Sequence, residues 1–263
     1  MPALGQCLSN FPNVIVVDNH SDDETVAETQ RNLPQALVIT NTRNLGFGAA
    51  NNLGLQRATT PYCLLLNPDC ELSSEGAAQL LKTAQSFPSA ALIAPQLLKR
   101  NKELDINYRW VNTLWTSRGP RAEGICSVGF ACGAAWLLNM SMMKQVGYFD
   151  ERFFLYYEDD DLCHRIFNQK LSILIDPSVH LLHASRGSVK GTRPYHSEYL
   201  RGFHHAQSKI IFAKKYQGES KARRLRLITL ASAIVSMPLR LLAFSPKHLA
   251  RLSGRITGLI SLE

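Results

Sequence analysis

No stretch of this chain is both long and apolar enough to promise a membrane crossing. The uncharged run Leu227–Leu239 falls short of the ~20 residues a bilayer needs and contains Pro238. No signal peptide is expected at Met1, because Pro2-Ala3-Leu4-Gly5-Gln6 has neither a basic start nor an apolar centre. The six cysteines, at 7, 63, 70, 126, 132 and 163, form no CxxC pair and no metal-ligand spacing, so they read as reduced thiols, mostly small core residues. A GxxxxGK[ST] loop is missing, and no Ser/His/Asp or Cys/His arrangement is suggested, which removes support for P-loop and triad hydrolysis. A Gly-rich phosphate loop with a basic residue near the N-terminus is also missing, which argues against a nucleotidyltransferase. No low-complexity tract interrupts the chain.

What is present is a globular composition, 45% hydrophobic and 19% charged over 263 residues, enough for one large domain and an appendage. The net charge of +8 is unevenly spread: residues 201–263 hold 12 Lys and Arg against Glu219 and Glu263. A near-neutral body with a basic tail suggests an anionic partner. Charge alone fits nucleic acid or a membrane. From Arg223 the tail is also dense in Leu, Ile and Val, which favours an amphipathic stretch lying in a membrane interface. The competing reading is a helix packed on the body.

Short β-branched runs alternate with helical stretches, the pattern of an α/β fold with a mostly parallel sheet. Strands are expected at Val14–Val17, Ala36–Ile39, Tyr62–Leu66, Ala91–Ala94, Ala131–Leu138 and Leu171–Ile175. Helices are expected from Ser21 as cap to about Arg31, over Phe47–Arg57, from Ser73 or Ser74, over Met142–Val146 to a stop at Gly147, and over Tyr195–Tyr216. Residues 99–127, with Trp110 and Trp115, read as irregular. His183 opens the loop Ala184–Ser188. Asp18 and Asp69 then stand at the carboxyl ends of two strands, the sheet edge where open α/β folds bind ligands. Asp is equally at home there as a turn residue.

The chain's most informative feature is Glu158-Asp159-Asp160-Asp161, set against Phe153-Phe154-Leu155-Tyr156-Tyr157. Carboxylates crowded beside rings repel one another and lose hydration, so at least one should titrate high. The bland alternative is a helix start, where acids offset the dipole and Asp161 pairs with Arg165. Transfer of a sugar from a nucleoside diphosphate needs a neutralised leaving diphosphate and a desolvated base for the acceptor hydroxyl. Asp159 fits the base, and Asp69 a divalent cation that substrate phosphates would help to hold. His183 could add an imidazole or be merely structural.

Four segments in order, Val14–Asp23 (VIVVDNHSDD), Asn41–Leu55 (NTRNLGFGAANNLGL), Leu64–Asp69 (LLLNPD) and Gly147–Ile166 (GYFDERFFLYYEDDDLCHRI), resemble family 2 glycosyltransferases of the GT-A fold, and most nearly bacterial rhamnosyltransferases of polysaccharide or O-antigen assembly. The match covers residues 12–190. The resemblance implies that Asp18, with Asn19 and Asp22 or Asp23 in the same loop, meets the pyrimidine of the donor. It implies that Asn44, Gly46 and Asn51 shape the nucleotide pocket, with Asn67 beside them in the DxD-type turn Asn67-Pro68-Asp69, and that Asp69 and His183 serve Mg²⁺ or Mn²⁺. It makes Glu158-Asp159 the ED motif, with Asp159 the base and Glu158 an acceptor contact. The implied reaction is inverting transfer, with dTDP-L-rhamnose or a UDP-sugar as donor and a lipid-linked glycan as acceptor. It would run in the cytoplasm, peripherally on the inner face of the cytoplasmic membrane, and without nucleic acid. Residues 1–218 would form the GT-A domain and 219–263 the basic, apolar tail.

One departure stands out. The family opens with a V-x-V-V-T-Y-N strand ahead of the VVDN strand, whereas this sequence begins at Met1-Pro2-Ala3-Leu4, where the first helix should be. The expected sheet therefore lacks a central strand and has two unpaired edges. The rival expectation is an inactive fragment that acts only as a membrane- or assembly-associated protein.

Overall fold

The computed structural model describes Leu8 and residues 11–111, 119–183, 194–242 and 244–262. Cys7, Trp115 and the loop Ala184–Ser188 lie outside the described residues. The chain divides into two compact units, one of Met1–Leu45, Ala49–Phe149 and Asp159–Ser188, the other of Gly46–Gly48, Asp150–Glu158 and Val189–Glu263.

In the first unit, β1 (Ile15–Asp18) and β2 (Leu37–Thr40) pair in parallel across α1 (Thr25–Asn32). Helix α1 starts later than the Ser21 cap predicts. Asp23 organises the turn instead, its Oδ1 accepting from the Thr25 amide at 3.0 Å and from the Thr25 hydroxyl, and these bonds hold its carboxyl below the usual range. Helix α2 (Phe47–Arg57) leads to β3 (Tyr62–Leu66) and the two-residue β4 (Cys70–Glu71). Helix α3 (Ser74–Ser86) is capped by Ser73, whose hydroxyl accepts from Gly76 N, satisfying one orphan amide of the first turn.

The larger sheet has the order β3-β10-β5-β11-β4, where β5 is Ala90–Leu98, β10 Ala135–Asn139 and β11 Ser172–His183. Short strands β6 (Leu104–Asp105) and β8 (Cys126–Val128) add to β5 and β11, while β7 (Tyr108–Arg109) pairs β9 (Phe130–Ala131). This sheet is mixed rather than mostly parallel: β5 and β11 run parallel, and β3–β10, β10–β5, β11–β4, β5–β6 and β11–β8 run antiparallel. Strands β4, β6, β8 and β10 are reached without a crossover helix, so nothing forces them to run with their neighbours. Among the described residues no strand joins β1–β2 to β3.

Two further departures place the site. The run expected as one strand over Ala131–Leu138 breaks at residues 132–134 into β9 and β10. Strand β11 does not stop at Asp176-Pro177 but passes through a register shift between Asp176 and His180, where proline's missing donor is tolerated. Asp176, fully buried, stabilises the bulge by accepting from Ser178 N and Oγ (3.0 and 2.6 Å) and from Thr83 Oγ1 (2.6 Å). The extra length carries His183 to the strand partner of Cys70. Between the sheet and α3 lies a core of Leu80, Ile93, Leu97, Leu137, Leu174 and Leu181. Trp136, fully buried, stacks on Phe149 with centroids 5.8 Å apart. Asn139 caps α4 (Met140–Val146), and Gly147, at φ 82°, ends it.

The second unit contains α6 (Pro194–Gln217), α7 (Glu219–Leu242) and α8 (Pro246–Ile260). Helices α6 and α8 touch backbone to backbone. A Cβ on Gly202 would lie 1.9 Å from Arg251 O, and one on Gly254 1.9 Å from Tyr199 O. The segment Asp150–Glu158 is tied to α6 by Ser208 Oγ donating to Leu155 O at 2.9 Å, by the Lys215–Asp150 ion pair at 2.7 Å, and by Phe154 stacked 4.2 Å from the His204 ring. Gly46, at φ 89°, leaves room for the Phe154 carbonyl, which a Cβ would meet at 2.4 Å; Phe47 N then donates to that carbonyl at 2.9 Å. Helix α7 exposes Leu227, Ile228, Ile234, Val235 and Leu239 in a row, each more than half accessible.

Candidate active site

Asp18 ends β1 with its carboxylate buried. Oδ2 accepts weakly from Ser21 N at 3.4 Å, and Oδ1 has no hydrogen-bond partner among the described residues. Asn19 is the hub of the adjoining loop: Oδ1 accepts from Asn41 Nδ2 (3.1 Å) and Leu45 N (2.9 Å), and Nδ2 donates to Asn44 Oδ1 (2.9 Å). Asn19 and Asn44 are thus brought together beside Asp18, whereas Asp22 stands exposed on the turn. Asn51 is half-buried on α2. Its neighbour Asn52, which sequence reasoning passed over, is fully engaged with the backbone of Phe149. Asn52 donates to Phe149 O at 3.0 Å and accepts from Phe149 N at 2.9 Å, a buried two-way clamp. Two adjacent Asn on a helix, one at a buried position of its apolar face, were the available signal.

The turn after β3 is closed by Cys70 N donating to Asn67 O at 3.1 Å, and anchored by Asn67 N donating to Ala134 O at 3.0 Å. It presents Asp69 with Oδ1 buried, 3.7 Å from His183 Nε2; among the described residues neither that oxygen nor the buried His183 Nδ1 has a hydrogen-bond partner. An acceptor deprived of water and donors costs about 1–3 kcal/mol, so the pair suits a cation. Cys70 Sγ lies with these two donors inside a 4.8 Å cluster. Burial pushes its thiol up, with the Asp69 charge a smaller cause, and its sulfur contacts Ala134 O at 3.5 Å.

Helix α5 (Glu158–Asn168) carries the acid cluster on its first turn. Asp161, fully buried, pairs with Arg165 Nε at 2.8 Å as the spacing predicted. The same guanidinium donates to the carbonyls of Val146 and Gly147 (both 2.8 Å) and Tyr148 (2.5 Å), fixing α5 against the end of α4. Glu158 is buried. Asp159 is half-buried by surface area, yet packed deeply enough that desolvation dominates. Its carboxyl is pushed up to about 7, first by burial and then by the Asp160 charge, against the pull of the Asp160 and Gly133 amides and of Arg109. Asp160 N donates to Asp159 Oδ1 at 2.9 Å, and Gly133 N reaches Oδ2 at 3.5 Å. Asp160 takes the Arg109 guanidinium at 2.5 Å, and that guanidinium lies 3.7 Å over the Phe130 ring.

Residues Gly133 and Ala134 therefore join two parts of the site. Gly133 N contacts Asp159, and the next carbonyl, Ala134 O, holds the Asn67–Asp69 turn. Sequence reasoning put this segment inside a continuous strand and missed Arg109 altogether, because a lone Arg in an irregular region has no pattern to announce it. Separately, a cavity of about 540 Å³ lined by Gln96, Arg121, Glu123, Asp176 and His180 contains none of the expected site residues.

The model for "Glycosyl transferase family 2" matches residues 4–147. The chain is 27% identical over 237 residues to an N-acetylglucosaminyl-diphospho-decaprenol L-rhamnosyltransferase of Mycobacterium tuberculosis (strain H37Rv), covering 78% of this chain and 76% of that protein. It is 29% identical over 178 residues to a low-salt glycan biosynthesis hexosyltransferase of Haloferax volcanii, covering 63% of this chain and 57% of the other. Its fold is similar to that of a Pyrobaculum calidifontis mannosyltransferase solved with GDP-Man and Mn²⁺, with a TM-score of 0.53 at 15% identity over 98% of this chain and 81% of that one. With the mixed α/β fold, these matches show that the chain belongs to glycosyltransferase family 2, is related to its rhamnosyltransferases, and has the GT-A fold.

Proposed function

We propose that the protein transfers a sugar, L-rhamnose from dTDP-L-rhamnose, with inversion, to a hydroxyl of a lipid-linked glycan. The observation that carries this reading is the Gly133–Ala134 segment, whose amide contacts the crowded Asp159 carboxyl and whose carbonyl holds a turn with a buried Asp69 oxygen that has no hydrogen-bond partner among the described residues. The mycobacterial relative's name supports the rhamnosyl donor and the lipid-diphosphate acceptor.

In this reading Asp18 and the Asn19–Asn44 loop hold the nucleoside, with Asp18 Oδ1 free to accept from the base imide. Asp69 and His183 hold a divalent ion, Mg²⁺ or Mn²⁺, which when bound neutralises the leaving diphosphate. Asp159, kept in place by two amides and pushed up by burial and the Asp160 charge, takes the proton of the acceptor hydroxyl. Glu158 positions the acceptor. The tail, residues 219–263 appended to a catalytic domain of 1–218, lies in the inner face of the cytoplasmic membrane through the exposed row on α7, since no described helix is long and apolar enough to cross. Sedimentation with anionic vesicles should be lost when Leu227, Val235 and Leu239 are made Ser; retention would detach the tail from that role.

Calorimetric titration with dTDP, UDP and GDP, each with and without Mn²⁺, tests the donor. Metal-dependent binding that favours dTDP and disappears in Asp69→Ala is expected. A UDP preference would overturn the rhamnosyl assignment, and unchanged affinity in Asp69→Ala would remove that residue from the metal site.

A further inference from the structure

Helix α6 carries Arg201, His205 and Lys209 one turn apart, and α8 carries Arg251 and Arg255 at the same spacing, so each set lies on one face of its helix. The backbone contacts at Gly202 and Gly254 bring the two helices close. The charges converge: Arg251, Arg255 and Lys209 all act on the His205 imidazole, while Arg201 and Arg251 act on the Tyr156 phenol. Glu198 answers part of this charge, 3.3 Å from Arg201 and 3.9 Å from Arg251. Glu158 also acts on Tyr156. Four full cations thus face two carboxylates. Among the described residues Arg255 and Lys209 have no ion-pair partner, and Arg201 Nε is buried without a hydrogen-bond acceptor. Burial and its cationic neighbours push His205 down to about 4, so the ring is neutral and can hydrogen-bond without adding repulsion.

A second observation marks the same place. Tyr156 and Tyr157 are consecutive non-glycine residues at φ 69° and 68°, a conformation that costs energy and tends to be kept where a site requires it. Both rings sit edge-on to His205 at 5.5 Å. Glu158 follows them directly in sequence. Like charges held this close, in partial burial, are the surroundings in which an anion is bound by charge-assisted hydrogen bonds.

We infer that Arg201, Arg251 and Arg255, with His205 and Tyr156, form a binding site for the diphosphate of a lipid-linked acceptor. The inference rests on the acceptor class proposed above and adds where its charge is held. A lipid diphosphate has a compact double anion on an apolar chain. The same helical unit offers a cation cluster on α6 and α8 and an exposed apolar row on α7.

The test is calorimetric titration of the full chain, with chelator in place of divalent metal and in an Asp69→Ala background. Inorganic pyrophosphate, farnesyl diphosphate and phosphatidylcholine vesicles with or without phosphatidylglycerol are the probes. Pyrophosphate and farnesyl diphosphate should compete, and Arg251→Gln/Arg255→Gln should weaken each at least about tenfold, the loss of one charged hydrogen bond. Arg251→Lys/Arg255→Lys, which keeps the charge, should retain most of the binding and shows that a loss reflects charge rather than unfolding. Unchanged pyrophosphate affinity in the Gln variant overturns the inference. So does a Gln variant that loses phosphatidylglycerol vesicles alone, because the cluster would then serve membrane headgroups. Titration of the wild type with dTDP and Mn²⁺ separates the two readings: failure there with diphosphate binding intact refutes the donor assignment and leaves the cation cluster standing.

Discussion

Replacing Arg109 by Met removes the cation that lies over Phe130 and pairs with Asp160, while preserving much of the apolar stem. In the wild type, burial and the Asp160 charge raise Asp159 to about 7, and Arg109 pulls downward on both carboxyls. Without Arg109 the acid limb of kcat/KM should move up by about one pH unit, the lower end of what a neighbouring opposite charge contributes. If Asp159 is the base, as proposed, a carboxyl at about 7 moved up by that unit would be about one-tenth ionised at pH 7, so kcat/KM at that pH falls about fivefold and recovers by about pH 9. Arg109→Lys should fall between, because a point charge replaces a stacked planar fork. The assay is the transfer rate from about pH 5.5 to 9.5 at saturating metal. A loss equal at every pH would show that Arg109 only shapes the fold, and would refute the reasoning.

Asp159→Asn should lower turnover at least about 100-fold with donor binding intact; wild-type turnover would end the assignment. The same variant should be more stable than wild type in alkaline but not in acid solution. Because the folded carboxyl titrates at about 7 rather than 3.8, its stabilising contribution is full below 3.8 and lost as pH rises through 7. The gain is at most about 4 kcal/mol, reduced by the group's partial exposure, and denaturant titrations at both pH values would read it. Arg165→Met leaves Asp161 buried without its guanidinium and should cost about 3–5 kcal/mol of unfolding free energy, the scale for one partner of a buried pair. A cost below about 1 kcal/mol would mean that Asp161 is neutralised otherwise. Gly254→Val places a side chain where Tyr199 O already sits and should lower stability by at least about 1–3 kcal/mol; an unchanged melting temperature would contradict the close crossing of α6 and α8.

The sequence made some of this legible for definite reasons. Helix α2, strand β3 and a helix start at Ser73 or Ser74 were readable because composition and turn chemistry agree locally, and the Asp161–Arg165 pair follows from helical spacing alone. The antiparallel pairing of β10 was not readable, since an apolar run on a mixed sheet looks the same whichever way it runs. The extension of β11 was hidden by Pro177, which normally ends a strand and here sits in a bulge stabilised by Asp176. Arg109 and the Gly133 amide were invisible because their role depends on contacts across 51 and 26 residues of chain. The α6–α8 cations were visible only as a bulk basic tail, since their convergence requires knowing that two glycines let the helices touch.

Gly133 and Ala134 are neighbours in the chain; the amide of one contacts Asp159, the base proposed above, and the carbonyl of the other holds the turn that carries Asp69, the metal ligand proposed above. In the proposed mechanism, proton removal and leaving-group capture would then share a mechanical reference, and a displacement of this dipeptide would be felt at both ends of the reaction at once. Substitutions here should change metal affinity and the pH of half-maximal rate in proportion, in kinetic data that would otherwise treat them as separate parameters. A rate-improving change on one side of the active site would thus carry an automatic adjustment on the other, which restricts how this enzyme can be retuned one property at a time.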